Sequence, residues 1–371
     1  MKSLLLAEKE SITVKNNRLV IGKKEYMLSD LDFTDIFVDR MDGYVSYKAL
    51  RMLANNGIMI HFEQYSGEID YSLIKESHAN GKVKLAQYEA FMHNRKDIAE
   101  AIIDFKIQTQ HNLLEALANK YDVRAEYTFK STGLKREPEY ASYYFSQLKN
   151  IFDRIAPDFK FTGRNDGQEK HNRKAKDPIN AMLNYAYSIL YAKTLKPINE
   201  NGLLNDISFV HYLSNKPTLT YDLVENIRWI ADYSIIQVLE SGKVSWNDFA
   251  VSELNTIRLK PSAQSLVIGF LQTNLNRYVD TKYGNMQYET LHEKNIKNFA
   301  HSLPSKKIVF EMPIIIPVES KDVIDKLRNM TIEERKRLGI RKNTLWYIQQ
   351  NIKAGKHPKI YRKTKDRIKE K

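Results

Sequence analysis

The stretch Leu203–Glu225, LLNDISFVHYLSNKPTLTYDLVE, governs how the rest of the chain is read. His211 closes a short apolar run, Asp222 follows on the far side of a polar segment, and Glu225 comes one helical turn later. Residues at i and i+3 share a helix face, so the spacing predicts that Asp222 and Glu225 project together. A histidine reaching that face from outside the helix completes a nitrogen–oxygen donor set of the kind manganese accepts and magnesium tolerates. The same pattern also suits a histidine hydrogen-bonded near a helix start. Taken alone, the stretch leaves both readings open.

Upstream, Asp177–Tyr191 reads DPINAMLNYAYSILY. An aspartate followed by proline is a strong helix start, N-cap then N1, and Met182, Tyr185 and Ile189 form one apolar side. Further upstream, Glu137–Phe145 reads EPEYASYYF and opens an aromatic-rich helical segment over 140–152, with Tyr144 and Leu148 as core positions. Taken in order, these segments resemble the CRISPR-associated adaptation endonucleases. That family carries an E-G-x-A-A-x-x-Y-[FW] motif, a DPxNAxLNYxYxxLY helix, a histidine ending an apolar run, and a DLxE or DxxD pair. The segment KLAQYEAF…IAEAIIDFKIQTQHNLL resembles the family's first helices, and the likeness covers roughly residues 1–300.

The resemblance implies that Glu137, His211 and Glu225 are the catalytic residues and hold Mg²⁺ or Mn²⁺. Asp222 would be a fourth ligand or the carboxylate that orients His211. Pro138 stands where the family has glycine, which makes Glu139 a rival to Glu137. Asn180, Asn184 and Tyr187 also match the motif, but amide ladders between helices explain them equally well. Gln87, Lys106 and Gln110 are read as packing or hydrogen-bonding groups without chemistry.

Composition narrows the class. A chain of 371 residues, 42% of them hydrophobic, has ample material for a core, and no apolar run approaches the roughly 20 residues needed to cross a bilayer. The opening MKSLLLAEKES is too short in apolar residues for a signal peptide, so a cytoplasmic protein with no membrane partner is expected. There is no cysteine, which excludes disulfides and thiolate metal sites, and no GxGxxG or GxxxxGK[ST] cradle for a nucleotide. Of the net charge of +13, residues 321–371 supply most, with 17 Lys/Arg against 6 Asp/Glu. A basic tail on a nearly neutral body points to phosphate binding.

The expected fold class is α+β, with an N-terminal β-strand-rich dimerisation domain (1–76), an α-helical catalytic domain (77–320) and a basic, helix-turn-helix-like tail (321–371). Strands are predicted around Ile12–Val14, Leu19–Ile21, Ile36–Val38 and Ile58–Ile60, with a turn at Asn16-Asn17 and a helix over Ser46–Asn55 stopped by Asn56-Gly57. Helical periodicity runs from Leu85 to Leu117 and returns over Trp229–Leu239 and Gln264–Tyr278, while 163–176 reads as a basic loop. Lys306–Val318 reads as a short extended excursion. In the tail, Thr331 and Glu334 form a capping box, Gly339 sits in a turn, and Asn343-Thr344 caps a second helix that Gly355 stops. Leu345, Ile348 and Ile352 would face inward, leaving Arg341, Lys342, Trp346, Gln349 and Gln350 to meet DNA.

The family likeness implies phosphoryl transfer on double-stranded or branched DNA by a homodimer that works with the small second adaptation protein and inserts spacer DNA into the repeat array. A casposase, the transposon integrase with the same catalytic domain, is the alternative. A non-catalytic DNA-binding protein is the remaining one.

Overall fold

The computed structural model describes residues 2–6, 10–31, 33–39, 43–63, 69–75, 81–118, 120–164, 175–212, 218–252, 255–305, 307–313 and 326–353. Two compact units emerge, one from residues 1–110 and 128–314, the other from 111–127 and 315–371. The predicted boundary at Ser77–Gly81, most of the 163–176 loop, and Gly355 lie largely or wholly outside the described residues.

The first unit begins with short strands. β1 (Lys2–Leu6), β5 (Phe33–Asp39), β6 (Met59–Glu63) and β7 (Ile69–Leu73) form one sheet in the order β1-β5-β6-β7. β5 runs parallel to both β1 and β6, and β7 returns antiparallel. A parallel pair needs a crossover, and α1 (Tyr47–Asn55) supplies it between β5 and β6. Ser46 caps α1 by accepting from Ala49 N, and Gly57 leaves the helix at φ +65°. β2 (Ile12–Lys15), β3 (Arg18–Ile21) and β4 (Lys24–Tyr26) make a separate meander. Its first turn carries Asn16 and Asn17 at φ 50° and 59°, as the dipeptide predicts, since asparagine tolerates the left-handed region.

Helices then dominate. α2 (Gly81–Leu117) breaks its helical geometry at Asn94. α3 (Arg136–Ile155), α4 (Pro178–Glu200), α5 (Thr218–Val224), α6 (Arg228–Glu240), α7 (Pro261–Leu275) and α8 (Tyr288–Ser302) follow. α4 starts as its sequence dictates: Asp177 accepts from Asn180 N, and Pro178 opens the helix. Every residue from Pro178 to Asn199 is buried or half-buried, so α4 is the central helix of the unit rather than an amphipathic surface one.

Two short hairpins interrupt the helices where periodicity had predicted none. β8 (Phe249–Val251) pairs with β9 (Ile257–Leu259), and β10 (Tyr278–Thr281) pairs with β11 (Gly284–Gln287). The helix expected to reach Tyr278 therefore ends at Leu275. Of the excursion predicted over Lys306–Val318, residues 307–313 are described and form no strand. Asn295 brackets Glu311 with two amide hydrogen bonds, and Phe310 packs against Phe105 and Phe299.

Charged groups join the sheet to the helices. Lys193 on α4 lies 3.1 Å from Glu289 on α8 and pairs with Asp35 on β5. Asp35 also meets His61 Nε2 at 3.1 Å, and His61 Nδ1 meets Ser72 Oγ at 2.7 Å. Burial alone would push the Asp35 carboxyl up, but the Lys193 ammonium and His61 hold it well below the carboxylate range.

In the second unit, α9 (Ile332–Arg337) and α10 (Lys342–Lys353) are joined by a turn with Gly339 at φ +61°. Both halves of the Thr331–Glu334 capping box are present. Leu327, Met330, Ile340, Leu345 and Ile348 form its small core, with Leu338 packed alongside. The side chain of Ile352 lies outside the described set.

His292 on α8 gives the fold a testable pH dependence. Thr194 donates its hydroxyl proton to Leu190 O at 2.8 Å, so at 2.9 Å it accepts from His292 Nε2–H. Nδ1 is left buried without a partner, and burial pushes the imidazole pKa down from 6.5 to about 3. The unfolded chain therefore takes up this proton first. Stability from this group is full above about pH 6.5 and drains as pH falls toward 3, by about 1.4 kcal/mol per pH unit. Chemical denaturation across this range should show that slope, and His292→Gln should flatten it.

Candidate functional site

The loop that carries His211 is held from three sides. Gln87 on α2 donates its amide to Leu204 O and Ile207 O at 2.8 and 2.6 Å and accepts from Leu204 N at 2.8 Å. Arg95, just past the α2 break, donates to Phe209 O at 3.0 Å and lies 3.9 Å from the Tyr212 ring centre. Asn205 accepts from both the backbone and the hydroxyl of Thr220, tying the loop to the start of α5.

Asp222 makes the third attachment. One carboxylate oxygen accepts from Phe209 N and Val210 N at 2.7 and 2.9 Å. The other accepts from His211 N at 3.1 Å and faces His211 Nδ1 at 2.8 Å. Asp222 is completely buried, and four donors occupy it. An ionised carboxylate only accepts, so the imidazole proton sits on Nδ1 and the Nε2 lone pair is left outward. The His211 side chain is 47% exposed.

Glu225 faces elsewhere. α5 ends at Val224, and Glu225, in the turn beyond it, takes partners different from those of Asp222. Glu225 Oε1 accepts from Arg228 at 2.6 Å, and Oε2 lies 3.0 Å from Lys106 Nζ. Oε2 is buried and accepts no aligned hydrogen bond. Burial pushes the Glu225 carboxyl up, yet Arg228 and Lys106 outweigh it and hold the pKa at about 2.

Glu137 arrives in the first turn of α3, where a negative charge suits the helix dipole. Pro138 does not disturb that turn, since the first N–H groups of a helix have no intrahelical acceptor to lose. Glu137 Oε1 accepts from Lys106 Nζ at 2.6 Å. Two carboxylates from separate elements thus converge on one ammonium. Glu139 is committed elsewhere, its oxygens accepting from Lys130 N and Ser131 N at 2.7 and 2.9 Å. Between the two glutamates, the geometry favours Glu137.

Glu137 and Glu225 are therefore brought together, and His211 is oriented by Asp222. Among the described residues, no three His, Asp or Glu side chains gather closely enough to hold one ion. Three basic groups at the site, Lys106, Arg228 and Arg95, were not among the expected functional residues. Behind Arg228, Asp232 accepts from Tyr144 at 2.7 Å and from Tyr187, whose ring lies 4.2 Å from the Arg228 guanidinium. Tyr187, which matched the motif, thereby backs the partner of Glu225. Arg341, just before α10, and Lys342, Trp346 and Gln350 within it are exposed. Gln349 is not free for DNA in the same way, because its amide donates to Leu327 O at 3.0 Å and Arg328 O at 3.3 Å.

The sequence model of the family described as CRISPR associated protein Cas1 matches residues 4–273. The chain belongs to the Cas1 family. A Cas1 protein of Methanobrevibacter ruminantium is 27% identical over 72% of this chain and 86% of its own length. An endonuclease Cas1 of Saccharolobus solfataricus is 30% identical over 65% and 76%. A casposase solved with its integration product aligns at TM-score 0.78 and 25% identity, covering 89% of this chain and 99% of that one. A Cas1 protein of Thermotoga maritima shares the fold at TM-score 0.67 and 18% identity, over 83% and 98%.

The Asp222 arrangement makes a sharp prediction for a Cas1-family site. Asp222→Asn offers one acceptor oxygen in place of two and turns an NH₂ group toward backbone donors. The cost should be about 2–4 kcal/mol. Denaturant unfolding measures it, and ¹⁵N shifts of His211 should show the fixed tautomer lost. A variant as stable as wild type would sink this account of the loop.

Proposed function

We propose that this chain is a divalent-metal-dependent DNA endonuclease and integrase of CRISPR adaptation, inserting spacer DNA into the repeat array by transesterification. The observation that carries the reading is the convergence of Glu137 and Glu225, with His211 Nε2 left outward by Asp222, in a family whose relatives are named endonucleases. The donor types suit a hard divalent ion: an imidazole nitrogen and carboxylate oxygens, of which Glu225 Oε2 is buried and faces the Lys106 ammonium. Glu137, His211 and Glu225 would hold Mg²⁺ or Mn²⁺, which supplies Lewis-acid stabilisation of charge on the reacting phosphate.

The chain's own groups do the rest. Asp222 fixes the orientation of the His211 ring through Nδ1, and Arg228 and Lys106 keep Glu225 ionised. A water or a DNA 3′-hydroxyl attacks the phosphorus: a P–O bond to the attacking oxygen forms as the P–O bond to the leaving oxygen breaks. The attacker's proton ends on the leaving oxygen, which gives hydrolytic cleavage with water and strand joining with the 3′-hydroxyl. The basic tail binds backbone phosphates through Arg341 and Lys342, with Trp346 and Gln350 beside them. Family membership supports a homodimer acting with Cas2 in the cytoplasm.

His211→Ala and Glu225→Ala should each lower metal-dependent cleavage and joining by roughly 100-fold or more while DNA affinity is kept, because affinity is mostly phosphate electrostatics. Glu139→Ala should retain the chemistry. A folded His211→Ala protein that cleaves at the wild-type rate would falsify the assignment. Arg341→Ala and Lys342→Ala should each reduce the slope of log affinity against log salt by about 0.9 on duplex DNA. An unchanged slope would remove α10 from the DNA interface.

The casposase reading has one observation in its favour: the casposase structure aligns at TM-score 0.78 over 89% of this chain, against 0.67 over 83% for the Thermotoga maritima Cas1 protein. Integration assays separate the two. Insertion at a repeat array that depends on Cas2 supports adaptation, whereas Cas2-independent insertion of transposon ends supports the casposase.

A further inference from the structure

Lys106 stands where the proposed function needs a metal ion. Its ammonium donates to Glu137 Oε1 at 2.6 Å and lies 3.0 Å from Glu225 Oε2, and the residue is only 8% exposed. A hard divalent cation binds carboxylate oxygen at about 2.0–2.6 Å. Nζ, 2.6 and 3.0 Å from the two oxygens, lies between them, so an ion shared by them competes with it for that space. Charge argues the same way. Two carboxylates face two cations, Lys106 and Arg228, so the cluster is already neutral. Adding two positive charges while both cations stay would set like charges together in a place with little water to screen them.

Arg228 is the less able of the two to leave. Its guanidinium is 2.6 Å from Glu225 Oε1, and the Tyr187 ring, backed by Asp232, lies against it. Lys106 has a flexible four-carbon stem and a compact charge. Its second contact, with Glu225 Oε2, is an ion pair without an aligned hydrogen bond.

We propose that Lys106 is a built-in placeholder for the metal: it neutralises Glu137 and Glu225 until a divalent cation takes them, and its released ammonium then binds a DNA phosphate. This rests on the ligand assignment under the proposed function and adds a regulatory consequence. Metal and Lys106 compete for the same two carboxylates. A phosphate offers Lys106 another anion, so DNA binding strengthens metal binding, and by linkage metal strengthens DNA binding. Nuclease chemistry is thereby held back until DNA is present.

The test measures Mn²⁺ binding to the full-length protein by electron paramagnetic resonance of the free ion. It is run with and without a duplex whose ends lack 3′-hydroxyls. Lys106→Met removes the charge at similar size, and it should tighten Mn²⁺ binding without DNA by about tenfold or more. It should also shrink the gain that DNA brings in the wild type. Lys106→Arg keeps a cation and should bind Mn²⁺ weakly without DNA. Lys106→Gln replaces the methionine variant should that one not fold. Equal or weaker Mn²⁺ binding by the uncharged variants overturns the placeholder. Glu225→Gln distinguishes the two levels. If it abolishes Mn²⁺ binding while Lys106→Met changes nothing, only the placeholder fails. If it leaves Mn²⁺ binding untouched, the ligand assignment fails and takes the placeholder with it.

Discussion

An ionised carboxylate taken out of water must be met by donors or cations, and this protein buries several. Asp35, Asp222, Glu225 and Asp232 are all buried, and each is answered differently. Asp35 has Lys193 and His61, which fastens the N-terminal sheet to the central helix. Asp222 has three backbone N–H groups and an imidazole, which shapes the loop around His211. Glu225 has an ammonium and a guanidinium. Asp232 has two tyrosine hydroxyls, and burial there pushes the carboxyl up. Breaking a buried pair costs far more than forming it gains. These four sites therefore determine where the sheet, the loop and the helices sit relative to one another within the first unit.

Features written in local chemistry were legible in the sequence. Asp177-Pro178 and the Thr331–Glu334 pair cap helices where they were expected, and Asn16-Asn17 turn the chain where they were expected by adopting positive φ. The ordered motifs gave the family and the residues worth inspecting. The hairpins β8–β9 and β10–β11 escaped because strands of three or four residues are too short for a two-residue period to register.

The site was legible in its parts but not in its assembly. A rule of helical spacing put Asp222 and Glu225 on one face, but it could not say that Asp222 would hold the His211 loop while Glu225 met Lys106 and Arg228. Lys106 was read as a packing or hydrogen-bonding group, and its partners could not be named because they belong to α3 and to the chain just beyond α5. No spacing within α2 could announce them. Gln87 was read as a hydrogen-bonding group and is one, yet the backbone it holds is the approach to His211. Gln349 looked free because its acceptors, Leu327 and Arg328, precede the whole helical pair.

α4 has a consequence for how the protein lives and is lost. A helix wetted on one side lets solvent and proteases sample it by fraying, but α4 has no exposed residue from Pro178 to Asn199. Its amide hydrogens are sheltered by every neighbour at once, so they exchange with solvent only when the surrounding unit opens as a whole. Hydrogen exchange in α4 is thus a clock for global unfolding rather than for local breathing. A protease that nicks an exposed loop leaves the helix intact, and cleavage within α4 marks a molecule that has already come apart.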